Sequence, residues 1–205
     1  MRIVKIEPSR HKKGRILLHT EEGDLLRITE RELLRFDLHA GMDLPPELCG
    51  ELTEAAKKSE RRVYAARLAS SRLLSEKELR EKLIKRDADE DEAAELSAWL
   101  AELGALDDTA CAEAIVRHYA ARGYGRGRVE HELRRRGIAE DLWENALTLL
   151  PDPADSIERF LHSKCGDKTP DRPTSRRLAA ALQRRGFAWE DIRPVLNRWG
   201  QEFEE

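Results

Sequence analysis

The stretch VEHELRRRG at residues 129–137 decides the fold, because a related stretch precedes it and another follows at almost the same interval. LREKLIKRD occupies residues 79–87, and LAAALQRRG occupies residues 178–186. Each copy has two apolar residues four positions apart, followed by a basic tail, and the last two copies end on glycine. Apolar residues at i and i+4 share one face of a helix. A repeat of about fifty residues predicts an array of similar helical units, each too small to bury its apolar face alone.

The composition agrees with a helical array. The chain has 205 residues, of which 40% are hydrophobic, 38% charged and only 5% aromatic. It is too apolar for wholesale disorder, and its core must consist mainly of Leu, Ala, Ile and Val. Because strong helix formers dominate, we expect a mainly α protein.

The first 56 residues differ from the rest and predict a small β-hairpin and helix extension. Two short apolar runs flank a turn near Gly23, and a further strand is expected before Pro8. A capping box from Thr29 to Glu32 predicts a short helix after the strands. A second helix can open at Pro46, because proline fits the first turn of a helix.

The remaining sequence predicts three tandem three-helix repeats in an elongated array, at residues 57–105, 106–151 and 152–205. The first helix of repeat one is expected at 59–70, separate from the helix that Pro46 opens. Each repeat carries the recurring stretch on its middle helix, and Thr174 is the expected N-cap of the last of these. All four tryptophans fall in third helices, where most should pack in the core.

Charge is distributed unevenly along the chain. The net charge is −3, yet residues 20–54 carry a balance of −7, whereas residues 115–138 and 172–187 each carry +5. Such asymmetry suggests an anionic partner, such as nucleic acid or an acidic protein groove. A solvated helical face is the simpler interpretation of the same charge runs.

The basic residues follow the middle helices. A helix turns about 100° per residue, so Arg128 and Arg135 share a face that differs from the apolar one. Arg177 and Arg184 hold the same places in repeat three. The planar guanidinium group suits phosphate and carboxylate because it donates two parallel hydrogen bonds. The candidate filament- or DNA-binding residues are Arg117, Arg122, Arg126, Arg128, Arg134, Arg135, Arg177 and Arg184.

Other chemistry finds little support in the sequence. Cys49, Cys111 and Cys165 are isolated, so neither a disulfide framework nor a zinc site is indicated. There is no phosphate-binding P-loop and no carboxylate pair in an apolar frame. No secretory signal or membrane span is visible. We therefore expect a cytoplasmic protein that is not an enzyme and has no catalytic residue, cofactor or metal.

Several residues between the repeats have simple structural explanations. Asp107 or Asp108 can cap a helix by accepting hydrogen bonds from backbone N–H groups. Gly123 and Gly125 permit a tight turn into which Tyr124 can pack. Gly137 is a natural helix stop.

The segments LDD at 106–108, RGYG at 122–125 and ELRRRG at 132–137 resemble, in sequence and spacing, the RecX family of bacterial recombinase regulators. The resemblance covers about residues 60–200. It implies three tandem three-helix repeats, binding in the groove of a RecA–DNA filament, and suppression of strand exchange and ATP hydrolysis. The chain departs from the family pattern at Cys111, where phenylalanine is usual, at Arg126, where proline is usual, and at Asp87, where glycine is usual.

Three functions remain open at this point. The leading one is a monomeric regulator of the RecA filament that touches recombinase subunits and, more weakly, single- or double-stranded DNA. The alternative is a helical module that binds DNA directly and needs no recombinase. A third is a structural adaptor whose acidic amino-terminal part holds the partner.

Overall fold

The computed structural model describes residues 1–200 as a mainly α protein with a small amino-terminal sheet. The strands are β1 (Ile3–Pro8), β2 (Arg15–Thr20) and β3 (Leu25–Thr29). The helices are α1 (Glu30–Arg35), α2 (Pro46–Ser71), α3 (Glu76–Ile84), α4 (Glu90–Glu102), α5 (Asp108–Ala121), α6 (Arg126–Arg136), α7 (Trp143–Leu147), α8 (Pro153–Cys165), α9 (Arg172–Arg184) and α10 (Trp189–Arg198). The predicted fold class is confirmed. The last five residues of the segment expected at 152–205 lie outside the described residues.

The amino-terminal sheet is antiparallel, with strand order β1-β2-β3. Its second turn contains Gly23 at φ +88°, a conformation that suits glycine. The capping box at the start of α1 is present: the backbone N–H of Thr29 donates to Oε2 of Glu32 at 2.9 Å. Ile3, Leu18 and other apolar residues form a core between the sheet and the helices that follow.

One long helix, α2, joins this extension to repeat one. The expected break between a helix at Pro46 and another at 59–70 is wrong, because α2 continues for 26 residues and passes residue 56. No proline or glycine follows Gly50 within the helix, so nothing stops it. Leu52 lies in the amino-terminal core and Ala65 in the core of repeat one. The helix therefore belongs to both cores.

Each repeat has a hydrophobic core of its own. Repeat one is built from the second half of α2 with α3 and α4, repeat two from α5–α7, and repeat three from α8–α10. The apolar pairs of the recurring stretch are all buried in these cores: Leu79 and Leu83, Val129 and Leu133, Leu178 and Leu182. Trp143 is also buried, and its indole N–H donates to the carbonyl of Ile138 at 3.0 Å.

The middle helix of repeat three begins one turn earlier than expected. Asp171, not Thr174, is its N-cap, and Oδ1 of Asp171 accepts from the backbone N–H of Thr174 at 2.9 Å. Pro173 in the first turn allows this early start, since its missing N–H is not needed there. The prediction that Thr174 caps the helix is therefore wrong.

Repeats one and two meet at a first joint, where the C-terminal end of α6 contacts the N-terminal end of α3. The hydroxyl of Ser75 donates to the carbonyl of Arg136 at 2.6 Å. The backbone N–H of Glu76 donates to Oδ1 of Asp108 at 3.0 Å. A side chain at Gly137 would displace Lys77, because a Cβ there would lie 2.2 Å from Cδ and 2.8 Å from Cβ of that lysine.

Repeats two and three meet at a second joint of the same kind, where the C-terminal end of α9 contacts the N-terminal end of α6. The backbone N–H of Gly125 donates to the carbonyl of Arg185 at 2.9 Å, and that of Gly127 to the carbonyl of Gly186 at 3.0 Å. A Cβ on Gly186 would lie 2.2 Å from the backbone nitrogen of Arg128. The middle helices are thus joined tail to head along the array. At the second joint, carbonyls at the end of α9 accept from free N–H groups at the start of α6, whereas at the first joint the carbonyl of Arg136 accepts from the hydroxyl of Ser75.

Candidate functional site

The second joint brings arginines of two repeats to adjoining helix ends. We call Arg177, Arg184, Arg128 and Arg135 the arginine row, in the order in which α9 and then α6 present them. Seven residues separate the two arginines within each helix, which corresponds to about two turns, or ~10.5 Å along the axis. Because Gly186 abuts Arg128, the end of α9 that carries Arg184 lies against the start of α6.

Three members of the arginine row form no ion pair in the described part of the chain. Arg128, Arg177 and Arg184 are exposed, and none of them forms an ion pair with another of residues 1–200. A guanidinium group carries five N–H donors and no acceptor. These three side chains therefore offer their donors to an external phosphate or carboxylate.

Arg135, the fourth member, is held by a carboxylate of its own helix. Its Nε and Nη2 donate to the two oxygens of Glu132 at 2.9 and 2.6 Å, while 60% of its side chain stays exposed. Glu132 is buried, and the hydrogen bonds from Arg135 and Arg136 lower its pKa to about 2. Arg136 also approaches Glu78 across the first joint at 3.6 Å. Glu132 thus fixes Arg135, and it also holds Arg136, which is the residue that reaches Glu78 of repeat one.

The other four candidate arginines lie beside partners on their own repeat. The pairs are Arg117 with Glu113, Arg126 with Glu130 and Glu144, Arg134 with Glu140, and Arg122 with His118. Arg134 also lies over the ring of Trp143, 4.9 Å from its centroid. On α6, Arg126 and Arg134 lie about 120° or more around the helix from Arg128, so they are on other faces.

Arg185 is a structural residue of the second joint that sequence reasoning missed. Its Nη1 donates to the carbonyls of Arg122 and Gly123, at 3.1 Å each, and its guanidinium lies 5.4 Å from the ring centroid of Tyr124. The side chain therefore fastens repeat three to the turn between α5 and α6. One signal for this role was present in the sequence: Arg185 stands directly before a helix-ending glycine, and Arg136 has the same position before Gly137.

The two adjacent aspartates, Asp107 and Asp108, have different structural roles. Asp107 is the N-cap of α5 and accepts from the backbone N–H of Ala110 at 2.9 Å. Asp108 contributes to the first joint through Glu76, and burial raises its pKa. One aspartate therefore starts a helix and the other holds the neighbouring repeat.

The glycine-rich turn before α6 lies at the second joint. Gly123 has φ +70°, and Gly125 is the N-cap of α6. A Cβ on Gly125 would lie 2.6 Å from the carbonyl oxygen of Gly186, so the joint needs glycine there. The ring of Tyr124 packs 5.3 Å from that of Tyr119. The turn thus sets how closely α9 approaches α6.

The described residues provide no obvious metal site. Among residues 1–200, no group of three or more His, Cys, Asp or Glu side chains is arranged to hold a metal ion. Over the same residues, no helix has the length and apolar character needed to cross a membrane. Cys111 is buried, and burial raises the pKa of its thiol.

Comparison with known proteins places the chain in a family. A family model described as RecX, second three-helix domain, matches residues 107–147. A protein of Halorhodospira halophila named regulatory protein RecX is 34% identical over 145 residues, which cover 69% of this chain and 90% of that protein. The chain belongs to the RecX family. Another RecX, from Lactobacillus delbrueckii subsp. bulgaricus, is 27% identical over 193 residues, covering 92% of this chain and 71% of the relative.

Solved structures of RecX proteins share the fold. A crystal structure of regulatory protein RecX has a TM-score of 0.69 at 22% identity, covering 96% of this chain and 98% of the other. The crystal structure of RecX from Lactobacillus salivarius has a TM-score of 0.60 at 24% identity and covers 71% of this chain. The curated relatives are named as regulatory proteins, which places this RecX-family chain among regulators.

Proposed function

We propose that this chain binds the groove of the RecA–DNA filament and inhibits strand exchange and ATP hydrolysis by RecA. The family supports the regulatory role, since its curated members are named regulatory protein RecX. The observation that carries the proposed surface is the second joint, which sets the exposed Arg184 and Arg128 at adjoining helix ends.

The arginine row suits a long anionic groove better than a small ligand. Its four side chains span two repeats, and each helix presents its pair about 10.5 Å apart. Three of the four guanidinium groups are unpaired within residues 1–200, so binding breaks no internal ion pair at those positions. The domains proposed at 57–105, 106–151 and 152–205 act as segments of one monomeric scaffold. No enzymatic step, cofactor or metal is part of this proposal.

The test is RecA-dependent ATP hydrolysis on single-stranded DNA with the chain added. The variant to compare with the wild type reverses the row: R128E, R135E, R177E and R184E. Its control reverses four exposed cations elsewhere: K58E, R80E, K164E and K168E. Both variants change the net charge by the same amount. An effect of net charge alone would therefore alter ATP hydrolysis to the same extent with both.

We expect the wild type and the control to slow ATP hydrolysis and the row variant to lose this effect. Filament binding that survives in the row variant contradicts the assignment of the surface. A wild type that neither binds the filament nor slows hydrolysis contradicts the function. Tight binding to naked DNA with steep salt dependence, and no filament preference, favours the direct DNA-binding alternative.

A further inference from the structure

An open cleft lies between the amino-terminal hairpin and repeat one, and no member of the arginine row lines it. Its volume is about 410 Å³, within the range of small-molecule sites in proteins. It is bordered by the β1–β2 loop, by the C-terminal half of α2 and by the chain that follows α3. Three separate segments therefore converge on it.

The cleft combines an apolar floor with a cationic rim. Val63, Tyr64 and Leu68 on α2 line the floor, and Val63 is 53% exposed although its side chain is apolar. Lys12 from the loop and Arg67 from α2 line the rim. An exposed apolar surface edged by cations suits a ligand with a flat apolar part and an anionic part.

The basic character of the rim extends beyond the cleft. The loop carries four consecutive basic side chains, Arg10, His11, Lys12 and Lys13, and all four are exposed. Within residues 1–200, none of these four takes part in an ion pair, and neither does Arg67. Glu60, an acid on the cleft wall, is already bound by the guanidinium of Arg15. The positive charge of the rim is therefore largely uncompensated.

A stacked pair of side chains adds a flat platform. The guanidinium carbon of Arg86 lies over the ring of Tyr64, 3.9 Å from its centroid. Arg86 is exposed and also lines the cleft. Aromatic rings and guanidinium planes are the groups on which proteins stack nucleic-acid bases.

We propose that this cleft binds one nucleotide unit, with the base against the Tyr64–Arg86 platform and the phosphate on Lys12 and Arg67. An acidic peptide would use the cations but has no planar group for the platform, so a nucleotide accounts for both halves of the cleft. The unit is either a free nucleotide or one residue of a single strand, since the two share this chemistry. The site does not depend on the arginine row, which lies in other repeats.

Photochemical crosslinking tests this assignment on the full chain. The probes are 5-iodouridine monophosphate and a short oligothymidylate carrying one 5-iodouracil, with crosslinks located by mass spectrometry of peptides. The test variant is K12E/R67E. The control is K58E, which reverses another exposed cation on α2, the helix that carries Arg67. A third variant carries the four reversals of the arginine row. Circular dichroism is used to check that each variant is folded.

We expect a crosslink at Tyr64 that falls about tenfold in K12E/R67E and stays unchanged in K58E. It should persist in the row variant even if that variant no longer acts on RecA, which separates this site from the proposed function. Labelling by the mononucleotide identifies a free ligand, and labelling by the oligonucleotide alone identifies a strand. The proposal is overturned if neither probe labels the cleft, or if labelling in K12E/R67E equals that of the wild type. It is also overturned if a polyglutamate peptide binds there and the nucleotide probes do not.

Discussion

The substitution Gly186→Ala should open the second joint. Alanine in a left-handed conformation costs about 1 kcal/mol, and Gly186 has φ +88°. Its Cβ would also lie 2.2 Å from the backbone nitrogen of Arg128, which cannot move without shifting α6. The joint would then lose the two backbone hydrogen bonds from Gly125 and Gly127, each contributing about 1 kcal/mol. The total loss of stability is about 3 kcal/mol.

The matched control is Gly104→Ala. Gly104 has φ +67°, but no atom lies within 4 Å of the place where its Cβ would stand. It should therefore show only the conformational cost of about 1 kcal/mol. Urea unfolding followed by circular dichroism gives the two free energies. Hydrogen exchange measured by NMR should show that the amides of Gly125 and Gly127 lose protection in G186A and keep it in G104A. Equal costs for both variants, with both amides still protected, would refute the reasoning.

Three further predictions concern single side chains. Glu132→Gln should lower the free energy of unfolding at pH 7 by about 1 to 2 kcal/mol, after allowing for the exposure of Arg135. The folded pKa of Glu132 is about 2, below its ordinary 4.5. In urea titrations, the difference from wild type should therefore persist above about pH 5 and vanish as the pH falls towards 2. Ser75→Ala should cost about 1 to 2 kcal/mol, since it removes both an N-cap and the hydrogen bond to the carbonyl of Arg136; a melting temperature equal to wild type would contradict this. Asp171→Ala should cost about 1 kcal/mol by removing the cap of α9, and exchange of the first amides of α9 should speed up while those of α6 do not change.

Local signals made much of the fold predictable. The apolar pairs, the capping box at Thr29 and the turn at Gly23 each act over a few residues, so their patterns could be interpreted directly. The prediction of the α9 cap is wrong because both Asp171 and Thr174 are good capping residues. Only the residue at which the helix begins decides between them. The continuity of α2 is not evident from composition, because the change in composition at residue 56 falls inside the helix and does not coincide with a structural break.

The joints could not be predicted in this way. The contact between Ser75 and Arg136 spans 61 residues, and that between Arg185 and Gly123 spans 62. Helical periodicity describes a single helix and contains no information about which helix end it meets. The ion pair between Arg135 and Glu132 was within reach, since residues three apart on a helix are neighbours. A prediction that treats the arginines as one outward-facing group leaves this pair out.

Asp87 occupies the place at the end of α3 that Gly137 and Gly186 occupy after α6 and α9, and it has the same left-handed backbone, with φ +61°. It carries a Cβ, whereas a Cβ at Gly137 or Gly186 would lie 2.2 Å from an atom of the neighbouring middle helix. At the opposite extremity, Oδ1 of Asp171 accepts from the backbone N–H of Thr174 in the first turn of α9. The end of α3 is thus poorly suited to the close backbone contact that Gly186 makes with α6. Within residues 1–200, the end-to-end series of middle helices stops at repeat one.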